Sequence, residues 1–341
     1  MAISRWLAVA AVAGLTMTAQ AAALKSIARN PYIGAIVTDA DGGKVLVEVN
    51  ADAPGWPASV CKLMTLMVVL DHLDKGTLHL NDMVHVTKEA ARVGGSQVWL
   101  KENEEFTVDD MLYALMVKSA NDVATALAIH VAGSKEAFVA LMNQRAAALG
   151  MTHTRFSSEH GLPPSAGQQP DVSTARDLAL LSLSLVKRPE VLRYTSTRVK
   201  DFRGGVTELR THNHLLGFVD GVDGLKTGWW EEAGYSMAIT AKRAGRRVIV
   251  VILGSANRLA RDKAAKELLA RGFASLPPLP PPPPVAAATN AIAVSNAPAS
   301  MAPAAPVSAG QRSNWKPMAI TVVVVLAIGI AIGMLLRRRT E

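Results

Sequence analysis

A single cysteine, Cys61, is the whole thiol complement of this 341-residue chain. That excludes an internal disulfide, so the fold must stand on its core alone, and it excludes a cysteine-rich zinc site. No His-Glu-x-x-His stretch occurs, so the pair His212 and His214 raises no expectation of metal. Acidic residues are the scarcer charge: 28 Asp and Glu against 36 Lys and Arg leave a formal +8 at pH 7. That excess is spread along the chain. It suits an anionic environment, but it is too diffuse to argue for nucleic acid.

Half the residues are apolar, which is high for a water-soluble protein, and both ends explain the excess. In residues 1–21, Arg5 precedes a short apolar run and Ala19-Gln20-Ala21 supplies small residues for cleavage, the pattern of a secretory signal. At the other end, residues 318–336 carry no charge and are long enough to cross a bilayer at about 1.5 Å per residue. Trp315 and Lys316 precede that span, and Arg337-Arg338-Arg339 follow it. Basic residues stay cytoplasmic, so residues 337–341 are expected inside and the rest of the mature chain outside a bacterial inner membrane. Residues 276–315, with the proline run 280–284, read as a linker too poor in bulky apolar residues to fold.

Between these ends lies one folded region, residues 22–275. Stretches 32–39 and 44–49 read as strands around the hairpin turn Ala40-Asp41-Gly42-Gly43. An apolar helix follows, opened by Pro57 and closed near Gly76. Thr107 with Asp110, and Thr174 with Asp177, have capping-box spacing and open further helices. Helices are also expected over 123–131 and 135–149. Residues 220–224 read as a turn leading into a strand from Leu225, and 236–242 with 247–253 read as an antiparallel pair. A closing helix over 261–273 ends at Gly272. Strands at both ends with helices between them predict an α+β fold, one antiparallel sheet covered by helices.

The helix after Pro57 is where chemistry is expected. It places Ser59 in its first turn and Lys62 three residues on, on the same face. A serine hydroxyl needs a base, and a lysine serves when burial or another cation lowers its pKa. Cys61 turns away from that face and reads as core. In Lys118-Ser119-Ala120-Asn121-Asp122, Ser119 and Asn121 are two apart, so both reach one site only across a turn, and the stretch by itself reads equally as a plain connector between two helices. On a strand, Lys226 and Gly228 share a face.

Ser59-Val60-Cys61-Lys62, Ser119-Ala120-Asn121 and Lys226-Thr227-Gly228, in this order, resemble the three motifs of penicillin-binding proteins and serine β-lactamases. Order and spacing most resemble the low-molecular-mass D-alanyl-D-alanine carboxypeptidases. Supporting stretches are His160-Gly161-Leu162, Ser173-Thr174-Ala175-Arg176-Asp177 and Val222-Asp223-Gly224. The resemblance implies a β-lactamase-like transpeptidase fold and a cofactor-free hydrolase that removes the terminal D-Ala of peptidoglycan stem peptides. It also implies covalent inhibition by β-lactams.

By that resemblance Ser59 is the nucleophile and Lys62 its base, and Asn121 holds the substrate amide or the lysine. Ser119 passes a proton to the leaving amine. Lys226 meets the terminal carboxylate and steadies the proton network, and Thr227 bonds the same carboxylate. Gly228 lets substrate lie along the strand. The backbone N–H groups of Ser59 and Trp229 form the oxyanion hole. Arg261 stands where the family places a carboxylate-binding arginine, against the alternative of a solvated helix charge. Trp229-Trp230 departs from the family's smaller residues, as a wall of the cleft or a cover for the sheet. Two rivals remain: a D,D-endopeptidase cutting cross-links with the same residues, and a non-catalytic wall-binding module. A β-lactamase is disfavoured, because no Glu-x-x-Leu-Asn loop lies between the second and third motifs.

Overall fold

The computed structural model describes residues 24–277. The expected signal at 1–21, the spanning helix at 318–336, the tail at 337–341 and nearly all of the linker lie outside the described residues. Within them no single helix is long and apolar enough to cross a membrane.

The sheet is assembled from both ends of the folded region. Strands β1 (Gly34–Asp39) and β2 (Val45–Val49) form the expected hairpin, and Gly43 adopts the left-handed conformation its tight turn demands. From the other end come β7 (Val222–Trp230), β8 (Gly234–Arg243) and β9 (Arg246–Ser255). The order is β2-β1-β9-β8-β7, antiparallel throughout, which leaves β7 at an edge. Side chains alternate across the sheet. Val37, Val248, Val250 and Ile252 meet Ala264, Ala265, Leu268 and Leu269 of the closing helix α8 (Arg258–Ser275). Ile36, Ile249, Val251 and Leu253 face the main helical core.

That core is centred on α1 (Lys62–Asp74), buried at every position from Lys62 to Leu70. A helix apolar on all sides belongs in the middle of a helical layer. Around it lie α3 (Val108–Tyr113), α4 (Asn121–Ala132), α5 (Lys135–Ala148) and α6 (Ala175–Val186). Thr107 and Thr174 cap α3 and α6 by accepting from the N–H groups of Asp110 and Asp177. The Asp177 carboxylate accepts instead from His153 N and Thr154 Oγ1, so it fixes the neighbouring loop.

Three expectations need correction. The strand β7 begins at Val222 and not at Leu225. Gly224 lies inside it because a Cβ there would come within 2.6 Å of Thr195 Oγ1. Gly272 is interior to α8, where a Cβ would press on Val37 and Val248 at 2.7–2.8 Å. Both glycines serve close approach and not turning. The closing helix starts at Arg258, capped by Asn257, three residues before the expected Arg261. Small elements also escaped notice: α2 (Lys88–Ala91), the pair β3 (Met83–His85) and β4 (Glu105–Thr107), α7 (Pro189–Thr195), and the pair β5 (Val199–Phe202) and β6 (Thr207–Arg210).

Candidate active site

Ser59 lies in a 3-10 turn, Ala58–Cys61, immediately ahead of α1. Ala58 holds a left-handed φ of 50°, a conformation that costs about 1–3 kcal/mol for a non-glycine residue and persists only when neighbours enforce it. Two glycines let those neighbours close in. A Cβ on Gly228 of β7 would lie 2.9 Å from Ser59 N, and one on Gly161 would lie 2.8 Å from Cys61 Sγ. Trp230, which also lines the cleft, packs on the turn, buried against Ala58 and stacked on Trp56 with ring centroids 5.0 Å apart. Upstream, Gly55 and Ser173 exchange two backbone hydrogen bonds of 2.9 Å, and Arg176 grips Asp52 and Glu48. The Ser173–Asp177 stretch therefore braces the approach to the serine.

The Lys62 ammonium is fully buried and donates to Ser59 Oγ (3.1 Å), Asn121 Oδ1 (2.7 Å) and the His160 carbonyl (2.5 Å). Burial pulls its pKa down to about 8, against the pull of the buried carboxylates of Glu159, Asp171 and Asp122. The free amine is thus within reach near neutral pH, beside the Ser59 hydroxyl.

The turn required between Ser119 and Asn121 is present. A short π-helical segment, Ala114–Lys118, runs into Ser119, which takes φ 62° and ψ 33°, and α4 starts afresh at Asn121. Ser119 Oγ is buried without a hydrogen-bond partner and lines the cleft. Asn121 is clamped by the loop before it: its Nδ2 donates to Gly94 O (2.8 Å) and its N–H to Ser96 O (2.7 Å). Its Oδ1 therefore points at Lys62, the lysine-holding half of the expectation.

The third motif needs revision. Lys226 is buried, its ammonium donates to Thr227 O (2.9 Å), and it does not line the cleft. Burial and then repulsion from Lys62 drive its pKa well below the ordinary value. Facing the other lysine, it suits the proton network and not direct contact with a carboxylate. Thr227, Gly228 and Trp229 do line the cleft. The room Gly228 leaves is taken by the Ser59 turn, not by substrate. Arg261 also lines the cleft. It is no solvated charge: only 2% exposed, it is held by Asp262 at 2.6–2.9 Å. Cys61 is core as expected, and burial raises its thiol pKa well above the usual value.

Ser59, Ser119, Asn121, Thr227, Gly228, Trp229 and Arg261 thus converge on one cleft of about 540 Å³. A sequence model for D-alanyl-D-alanine carboxypeptidases matches residues 18–257, well over half of the chain. The chain belongs to that family. It is 34% identical over 242 residues to the D-alanyl-D-alanine carboxypeptidase DacF of Bacillus subtilis and 39% identical over 246 residues to DacC of Escherichia coli. Each match covers 70% of this chain but only 61% and 60% of the relative, so the chain spans about three fifths of the length of these carboxypeptidases. Among solved structures, penicillin-binding protein D2 of Listeria monocytogenes in its ampicillin-bound form is 35% identical with a TM-score of 0.65, over 71% of this chain and 97% of that one. Penicillin-binding protein 6B of E. coli is 31% identical with a TM-score of 0.67, over 75% and 80%. The fold is accordingly the mixed α+β fold of penicillin-binding proteins.

Some of the carboxypeptidase family's supporting stretches now have physical reasons. The Asp171 carboxylate accepts from Ser157 N, Ser158 N and Ser158 Oγ, fixing the loop that presents His160 O to Lys62. The Asp122 carboxylate accepts from Val98 N and Leu100 N, fixing the loop that clamps Asn121. Neither carboxylate was singled out in the sequence, although Asp122 directly follows the second motif. His212 and His214 line the cleft as well, and burial next to Lys226 and Lys118 brings the His212 pKa down to about 4, keeping it neutral. Among the described residues no group of three His, Cys, Asp or Glu is placed to hold a metal ion.

Proposed function

We propose that this chain is a serine D-alanyl-D-alanine carboxypeptidase acting on peptidoglycan stem peptides and acylated by β-lactams. The contact that carries the reading is Lys62 Nζ to Ser59 Oγ at 3.1 Å, with Asn121 on the same ammonium. In the free-amine form Lys62 takes the serine proton as Oγ attacks the carbonyl between the two D-alanines. The tetrahedral oxyanion is received by the N–H groups of Ser59 and Trp229. The C–N bond breaks, the leaving amine takes a proton through Ser119, and D-Ala departs. Water then attacks the Ser59 ester with Lys62 again as base, freeing the shortened peptide and the serine. Lys226, buried beside Lys62, biases the network toward the free amine.

Labelling with a fluorescent penicillin tests the site. Wild type should form a covalent adduct and Ser59→Ala none, whereas a binding module without turnover labels in neither. Product analysis then separates activities. Release of free D-Ala from pentapeptide stems supports the carboxypeptidase, and cleavage confined to cross-linked muropeptides replaces it with the endopeptidase.

The chain is further proposed to be exported by residues 1–21 and tethered by the spanning helix 318–336, with its catalytic domain outside the bacterial inner membrane. The uncharged run and the arginines after it support this. Deleting 318–341 should move penicillin-labelled protein from the membrane to the soluble fraction. Retention in the membrane would sink the tether.

A further inference from the structure

Trp229 is the one exposed residue of β7, at 54%, next to Trp230 at 7%. Both line the cleft, but strand alternation divides the pair: Trp230 is buried against the nucleophile turn, and Trp229 stands open to solvent. The indole is not loose. It stacks on Tyr235, its cross-strand partner on β8, with centroids 5.5 Å apart and planes 28° apart. Tyr235 packs in turn against the Arg261 guanidinium, 5.9 Å from the ring centroid. Asp262 fixes that guanidinium, so the aromatic wall has a rigid backing.

The placement of charge says which part of a substrate meets this wall. The residue released by a carboxypeptidase carries the free carboxylate. Lys226 is occupied with Thr227 O and lies behind the cleft. His212, at the cleft near Lys226, is kept neutral. The arginines that line the cleft are Arg258 and Arg261, two cations sharing the single carboxylate of Asp262, and Arg261 packs against the Tyr235 that backs Trp229. A carboxylate drawn there lays the side chain of its own residue along the indole.

We propose that Trp229, backed by Tyr235, is a specificity-determining wall for the leaving D-amino acid, which lets the cleft take, besides D-Ala, side chains that extend beyond its methyl as methylene chains or flat rings. The inference rests on the D,D-peptidase reading. A methylene seated in an apolar pocket is worth roughly 10-fold or more in discrimination, and a half-open wall should deliver about one methylene's worth in all.

The test uses the full chain and acyl-D-Ala-D-Xaa peptides that share one acyl group, with Xaa as Ala, Leu or Phe. In wild type, kcat/KM for D-Phe and D-Leu should be about equal to that for D-Ala. In Trp229→Ala, which keeps the backbone N–H, their ratios to D-Ala should fall about 10-fold. Trp229→Phe should restore most of the D-Phe ratio, and Trp229→Leu should support D-Leu better than D-Phe. Ratios that are the same in wild type and all three variants overturn the wall, and so does a wild type that hydrolyses the D-Ala peptide but neither of the others. Fluorescent penicillin separates the two levels. A wild type that labels but whose ratios no variant changes loses only this inference, and one that neither labels nor hydrolyses any peptide loses the peptidase reading too.

Discussion

The cleft has two walls built on different principles. On the helical side it is walled by side chains that bond one another, with Lys62 between Ser59 and Asn121 and buried carboxylates behind it. On the sheet side the edge strand β7 brings backbone up to the serine, at a glycine, and its side chains either stack or hide. The helical wall sets proton affinities. The sheet wall sets distances. Damage to the first should show as altered pH dependence, and damage to the second as lost transition-state binding with the pH profile intact.

Gly228→Ala is the sharpest way to break the sheet wall. Its Cβ would lie 2.9 Å from Ser59 N and Val60 N and closer still to Pro57 O, all backbone, so either the strand or the turn must shift. Moving one oxyanion donor out of line costs about 10²–10³ in rate. The acylation rate of penicillin should fall by that amount while the midpoint of its pH profile stays in place. A variant as fast as wild type would show that β7 does not set the oxyanion geometry.

The helical wall is sharpened by pH itself. With the Lys62 pKa near 8 in the folded protein, acylation should rise about tenfold per pH unit below 8 and level off above it. The sign in stability follows. Burial lowers this pKa from 10.5, so between about 8 and 10.5 the unfolded chain holds a proton the folded one has released. Stability from this group therefore rises with pH across that window, and below it the full cost of a buried ammonium remains. A flat acylation profile from pH 6 to 9 would remove Lys62 from the role of base.

The two walls also differed in how far they could be read from sequence. Ser59, Lys62, Ser119 and Asn121 were legible because they stand in short motifs whose order along the chain resembles that of the penicillin-binding proteins, and the need for a turn at Ser119 followed from helix geometry alone. The sheet wall was legible only in outline. Alternation put Lys226 and Gly228 on one face, but not that the lysine would be buried or that the glycine's space would be filled by the Ser59 turn. Both depend on how closely β7 approaches a segment more than 150 residues earlier in the chain. Gly224 and Gly272 misled for the same reason, since a glycine that permits contact looks identical in sequence to one that permits a turn. Of the missed elements, α7 carried a signal in Pro189 at its first position, and β5–β6 carried one in the turn pair Gly204-Gly205, although the flanking runs Val199-Lys200-Asp201-Phe202 and Thr207-Glu208-Leu209-Arg210 do not alternate. The three-residue strands β3 and β4 carried none strong enough to separate from loop.

The smallest expected effect concerns a residue that belongs to neither wall. Cys61 lies two positions from Ser59, and a thiol so placed invites a rival assignment. It is fully buried, and burial makes its thiolate hard to form, so it should not react with iodoacetamide in the folded protein. Its part is to fill space beneath the turn, against the backbone of Gly161. Cys61→Ala removes only the sulfur, which should cost about 1 kcal/mol and lower Tm by about 2–4 °C. Penicillin labelling should stay within about twofold of wild type, because Lys62, Asn121 and β7 keep their places. If labelling disappears while the melting transition remains cooperative and little shifted, the sulfur takes part in acylation, and the division of this cleft into one side-chain wall and one backbone wall fails at its centre.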